Sequence, residues 1–318
     1  MQLTEVTDKE TRSLFHLVPH LIYKNDKNWA CPLEGMVEDV FNPVKNKTFR
    51  HGKAIRWILF DGKGQLIGRI AAFINENLAH TYEQPTGGCG FFECTDNQEA
   101  ANLLFQAAAN WNKANEMEAM DGPINFGENY INWGLLVDGF MPQGYGMPYN
   151  PPYYEKLFRG FGFEVYFEQY CYHLDYTKPF PERFWKIAEW IAKKPQYKFR
   201  HINFKETREF VQDFCTIYDA AWAFHEHYKP IDPDDILDFV NNSKAILDPR
   251  NDLVCLPRRK THCTFCNDSG HQPDFAKTER ETEFVRNHKI SVLQKHKNHD
   301  TDPNIYHGYR PRLPAFGS

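Results

Sequence analysis

Glu93 stands beside Cys94 at the end of an apolar run, and Tyr154 closes the run Tyr149, Asn150, Pro151, Pro152, Tyr153. A carboxylate can take a proton from an attacking nucleophile, and a phenol can give one to a leaving group. Glu93 and Tyr154 are therefore the candidate catalytic residues. Asn125, Glu128 and Asn129, just after Gly122-Pro123, join Tyr149, Asn150 and Tyr153 as candidates for binding a small polar substrate. Each has a plainer alternative. Asparagines stabilise turns, tyrosines pack, and a glutamate on a strand faces solvent. No histidine is identifiable that would activate Cys94. His225 and His227 are two apart on a helical stretch, so they face differently and lack the spacing of a zinc pair.

A second cluster lies in the last 68 residues, 251–318, where Cys263 and Cys266 flank two residues near Cys255, His262 and His271. Zinc takes four such ligands in a tetrahedron. A second correctly spaced pair is missing, however, so no metal is expected. This stretch also loses the apolar periodicity of residues 1–250, while holding six of the fourteen histidines. Shifted by one nucleotide, with free synonymous choice, its codons permit MIWFAYHEGKPIALFVMIPDINQIL, a strand–turn–strand pattern. The same shift over 300–317 permits YQRLG near its end. The expectation is a tail translated out of frame. A solvated, disordered tail is the alternative; its eleven Lys and Arg against eight Asp and Glu are too balanced for a nucleic-acid arm.

The elements that must hold the candidates are legible upstream. With 318 residues, 42% hydrophobic and 15% aromatic, the chain can bury a sizeable core, and length favours two domains. A net charge of −5 argues against nucleic-acid binding. No apolar run reaches the ~18 residues of a membrane span, and no signal peptide is visible at MQLTEVTDKETRSLF. Scattered cysteines outside the tail read as reduced thiols of a cytoplasmic protein. Residues 10–24 have helical spacing, and 41–50 read as loop. AIRWILFDGKGQLIGRIAAFIN is a hairpin through Asp61-Gly62-Lys63-Gly64. Residues 88–94 form a short strand. Asp96, with Glu99 in a capping box, starts a helix that buries Leu103, Leu104 and Trp111. Strand, helix and strand follow over 117–126, 153–159 and 162–176. Residues 181–194 form an amphipathic helix, and 206–224 and 233–247 two more. The order predicts an α/β fold with a mixed sheet flanked by helices.

The strings GFFECTDNQEAANLL, DGPINFGEN, GLLVDGF and MPYNPPYYEKLFRGFGF resemble the GNAT N-acetyltransferase superfamily, more narrowly bacterial proteins with two fused GNAT-like domains. IYDAAWAFHEHYKPIDPDDILDFV and KAILDP carry the resemblance into a second copy, so that it covers residues 1–250. It implies a GNAT-like domain over 1–178, a linker helix and the first helices of a second, truncated GNAT-like domain over 179–250, and the tail beyond. It also implies acetyl-CoA as cofactor and a small-molecule amine as acceptor; charge and hydropathy add that neither nucleic acid nor membrane is a partner. In such enzymes a glycine-containing loop cradles the pyrophosphate at a helix start. Here the matching loop, Thr95, Asp96 and Asn97, has no glycine and sets carboxylates at that start. The resemblance thus implies a degenerate cofactor loop and an impaired acyltransferase. The alternative is a non-catalytic module that binds a small ligand or partner. A truncated second copy also predicts an apolar face left bare on the helices of 206–247.

Overall fold

The computed structural model describes all residues except 82–83, 128–132, 145, 173–177, 196, 224–229, 245–246, 248–251, 258–263, 268–285 and 296–318. The chain divides into two compact units, one of residues 1–173 with 284–318 and one of 174–283.

Unit 1 opens with β1 (Gln2–Glu5), α1 (Lys9–Ile22) and α2 (Glu34–Val40). Asp8 starts α1 in a reciprocal cap with Thr11. The hairpin of β2 (Gly52–Phe60) and β3 (Leu66–Asn75) turns where Asp61 accepts from the Lys63 and Gln65 amides. A helical turn, α3 (Glu76–Ala79), leads to β4 (Thr86–Cys94), α4 (Gln98–Ala114) and β5 (Ala119–Gly122). Next come β6 (Leu135–Asp138), α5 (Tyr154–Phe161) and β7 (Glu164–Tyr172). The segment of 41–50 ends in a 3₁₀ turn at Lys47–Arg50.

Unit 2 holds α6 (Glu182–Ala192), β8 (Tyr197–His201), α7 (Thr207–Trp222), α8 (Pro233–Ser243), β9 (Asp252–Pro257) and β10 (Thr264–Asn267). Its strands pair antiparallel in the order β10-β9-β8. The sequence β8, α7, α8, β9, β10 follows the order in which β1, α1, α2, β2 and β3 open unit 1. Phe210, Val211, Cys215 and Ile217 of α7 are buried with Ile202 and Val240. The apolar face of α7 is therefore covered, not bare as expected.

A final strand, β11 (Arg286–Lys295), pairs with β5, β6 and β7 in the unit 1 sheet. That sheet runs β1-β2-β3-β4-β5-β11-β6. All these neighbours are antiparallel except β4 and β5. The mixed sheet flanked by helices is thus the architecture that the sequence predicts. Two cores cover its faces. Phe92, Leu104, Phe105, Phe158 and Phe163 pack beneath α4 and α5, while Phe15, Val18, Ile58, Phe73, Phe91 and Phe126 pack beneath α1 and α2.

The two parallel strands separate almost as soon as they meet, pairing only over Thr86–Gly88 and Ala119–Asp121. Gly90 lies at the divergence, where a Cβ would collide with the Ile124 carbonyl. Between the pairs Ala71↔Gly90 and Arg69↔Glu93, β4 carries one residue more than β3, a β-bulge with Phe91 at φ 50°. The bulge interrupts alternation, so Phe91, Phe92 and Glu93 all reach the cavity described next.

Candidate functional site

Where the sheet opens beyond β4, a cavity of about 560 Å³ penetrates unit 1. Its walls come from β3 and β4, from the segment leading into α2, from residues 133–135, from the loop of 143–150, and from α5. Most of the lining is apolar, including Trp29, Leu33, Phe91, Trp133, Met147 and Phe158. Glu93 and Arg69 are its charged residues among the described lining.

Glu93 faces inward, not into solvent. Its side chain is 12% exposed and that of Arg69 5%, with Arg69 Nη2 3.6 Å from Glu93 Oε1. Tyr154 Oη donates to Glu93 Oε2 at 2.7 Å. The Tyr23 hydroxyl donates to the Tyr149 carbonyl at 3.3 Å and lies close enough to Glu93 to interact with its charge. Burial raises the Glu93 carboxyl above the ordinary carboxylate range, outweighing the Arg69 charge and the hydrogen bond from Tyr154. Burial likewise pushes the Tyr154 and Tyr23 phenols well up, with the Glu93 charge adding to it. Arg69 is further anchored by Nη1 donating to the Phe15 carbonyl at 2.9 Å and by the Phe15 ring, 4.6 Å away. A carboxylate held this way binds protons more firmly than usual and can meet a cation entering from the cavity.

Of the expected substrate-binding residues, Tyr149 and Asn150 line the cavity, as does the catalytic candidate Tyr154. The Asn150 amide is committed to β6, accepting from the Leu136 N–H at 2.7 Å and donating to the Leu136 and Pro151 carbonyls, both at 3.0 Å. Tyr149 donates to Asp26 Oδ2 at 2.8 Å, tying the loop of 143–150 to the segment that leads into α2. Asn125 caps its own turn through the Phe126 N–H, and Tyr153 bonds the Cys94 carbonyl; neither lines the cavity. Glu128, Asn129, Cys263 and His271 lie outside the described residues, as does the side chain of Cys266. Among the described residues, no three His, Cys, Asp or Glu gather as metal ligands. Arg69, Tyr23, Trp29 and Trp133 were not singled out from sequence. The signal was a lone arginine within the apolar run Leu66–Asn75, directly opposite Glu93 in register.

The edge of β4 and the start of α4, where the resemblance puts acetyl-CoA, are closed by the chain itself. The Cys94 N–H donates to Tyr154 Oη at 2.9 Å, and the Cys94 carbonyl accepts from Tyr153 Oη at 2.8 Å. The helix cap is Asn97, not Asp96; its Oδ1 accepts from the Glu99 and Ala100 amides at 2.9 and 3.1 Å. Two of the first-turn amides that would cradle a pyrophosphate, those of Glu99 and Ala100, are already bonded, with the Glu99 side chain beside them. The cofactor does not fit these residues of unit 1.

Fold and cavity together define a mixed α/β domain with a largely apolar chamber on the open side of its sheet. No family model matches the chain. It is 26% identical over 227 residues to Protein YghO of Escherichia coli, covering 70% of this chain and 56% of that protein. It is 26% identical over 241 residues to the bacterial ceramide synthase of Caulobacter vibrioides, covering 74% of this chain and 61% of that protein. The chain thus spans less than two thirds of either relative. Among solved structures, similarity extends to a fungal β-N-acetylglucosaminidase with a GCN5-related glucosamine N-acetyltransferase region, at 12% identity and TM-score 0.44 over 81% of this chain and 26% of that one. FemX aligns at 14% identity and TM-score 0.33, over 80% of this chain and 57% of that one. Among the described residues no helix is long and apolar enough to cross a membrane.

Proposed function

We propose that this chain is the amine-binding portion of an N-acyltransferase, with the unit 1 cavity receiving a primary amine that carries an apolar group. The observation that carries the proposal is Glu93: a carboxyl raised by burial, the acid among the described lining of a largely apolar chamber, with Arg69 beside it. An ammonium ion placed there exchanges solvent for Glu93, while Trp29, Leu33 and Trp133 cover the apolar group. Glu93 then takes the proton that must leave before the nitrogen becomes a nucleophile. Tyr154 and Arg69 are positioning residues that hold the carboxylate. The ceramide named for the Caulobacter relative is itself an amide of a long-chain amine, which supports an apolar amine here. Acetyl-CoA is not proposed as a ligand of the β4–α4 turn of unit 1, because Tyr153 and Tyr154 bond Cys94 and Asn97 bonds the Glu99 and Ala100 amides there.

The test is calorimetric titration of the full chain with octylamine and, separately, acetyl-CoA. Saturable amine binding is expected, weakened roughly ten- to a hundredfold by Glu93→Gln, the equivalent of a charged hydrogen bond. No saturable acetyl-CoA binding is expected. A folded chain that ignores octylamine overturns the amine site, and tight acetyl-CoA binding weakened by substitution in 94–100 overturns the closed seat. A second reading, a non-catalytic ligand-binding module, is favoured by that same closure. An amine bound but left unacylated by the full chain supplied with acyl-CoA supports the module over the enzyme.

A further inference from the structure

In unit 2, α6 differs from the other long helices. Phe184, Ile187, Ala188 and Ile191 recur at i, i+3, i+4 and i+7, sharing one face, with Glu182, Lys186, Glu189 and Lys193 opposite. Helices α1, α4, α5 and α7 each bury their apolar stripe, whereas no residue of α6 is buried. Trp185 and Trp190, 59% and 60% exposed, stand at the two borders between the apolar and charged faces. Lys194 Nζ lies 3.3 Å from the Trp190 ring centroid, and the Arg183 guanidinium 5.2 Å from that of Phe184. Arg183, Lys186, Lys193 and Lys194 face only two acids, Glu182 and Glu189, in a protein of net charge −5.

We propose that α6 docks on the surface of an anionic lipid bilayer, its apolar face in the acyl boundary and its tryptophans at headgroup level. Two features single out this occupant. Tryptophans flanking an apolar stripe match a layer that is greasy below and wet above. The local excess of positive charge, reversed from the protein as a whole, complements anionic headgroups. With 11 residues α6 is too short to span a bilayer, so it lies on the membrane. Surface docking departs from the sequence-based expectation of no membrane partner, and it does not depend on the amine site.

The experiment is co-sedimentation of the full chain with vesicles of phosphatidylcholine alone or mixed in equal parts with phosphatidylglycerol. Two variants, Trp185→Ser/Trp190→Ser and Lys193→Glu/Lys194→Glu, are compared after circular dichroism shows that both remain folded. Trp185, Trp190 and Lys193 are exposed and Lys194 half-buried, so that outcome is the expected one. Binding should favour the anionic vesicles, fall with added salt, and drop at least about tenfold in each variant. The proposal is overturned if the folded chain ignores both vesicles, if it binds them equally, or if neither variant matters. It is also overturned if the native chain self-associates without binding lipid and Trp185→Ser/Trp190→Ser abolishes that association, since a second copy would then cover α6.

Discussion

Arg69 and Glu93 face each other across β3 and β4 with almost no access to water, so each makes the other tolerable. Arg69→Met should therefore cost about 3–5 kcal/mol in urea unfolding, because it leaves a buried carboxylate without its cation. Glu93 also gives stability a pH dependence whose sign is fixed by its raised pKa. Between the ordinary carboxyl value and the raised one, the folded chain keeps a proton that the unfolded chain has released. Its contribution is greatest below the ordinary value and declines as pH rises through the raised one. Glu93→Gln should flatten unfolding free energy as pH rises above the ordinary carboxyl value; an undiminished slope would place its source elsewhere. Amine binding runs the other way, strengthening with pH as Glu93 ionises.

At the scale of elements, two local devices hold the frame of the cavity. Asn97 caps α4, and Asn97→Ala should cost roughly 1 kcal/mol, read as a lower urea midpoint with unchanged helix content. Glu38 on α2 joins Arg56 of β2 at 2.6 and 2.9 Å and His16 of α1 at 2.7 Å. Burial alone would raise the Glu38 carboxyl, but hydrogen bonds from His16 and Arg56, with their charge, hold it down to about 2. Its stabilising effect is present above the ordinary carboxyl pKa of 4.5 and is lost as pH falls toward about 2. Glu38→Gln should remove that acid-side loss, measurable by thermal unfolding at successive acidic pH values.

For the whole molecule, the units have separate cores, one centred on Phe105 and Phe158 and the other on Phe210 and Val211. Urea unfolding should accordingly resolve two transitions. Phe105→Ala should shift one of them by about 3–5 kcal/mol and Phe210→Ala the other. A single transition moved equally by both substitutions would mean that the units unfold as one.

By itself the sequence determined the mixed α/β order. The β2–β3 hairpin follows from Asp61–Gly64 between two apolar runs, and α4 from its apolar spacing, because turn chemistry and periodicity are local properties. Glu93 and the Tyr149–Tyr154 segment were legible as candidates for the same reason. Only the tertiary structure decided that Glu93 points inward, because a bulge at Phe91 shifts which residues of β4 share a face. It also supplied the partners, Arg69 on the neighbouring strand β3 and Tyr23 at the end of α1, which lie far from Glu93 in sequence. The closing of the cofactor seat arises in the same way: Tyr153 and Tyr154 reach Cys94 from some sixty positions away, and no pattern within a short window encodes such a contact.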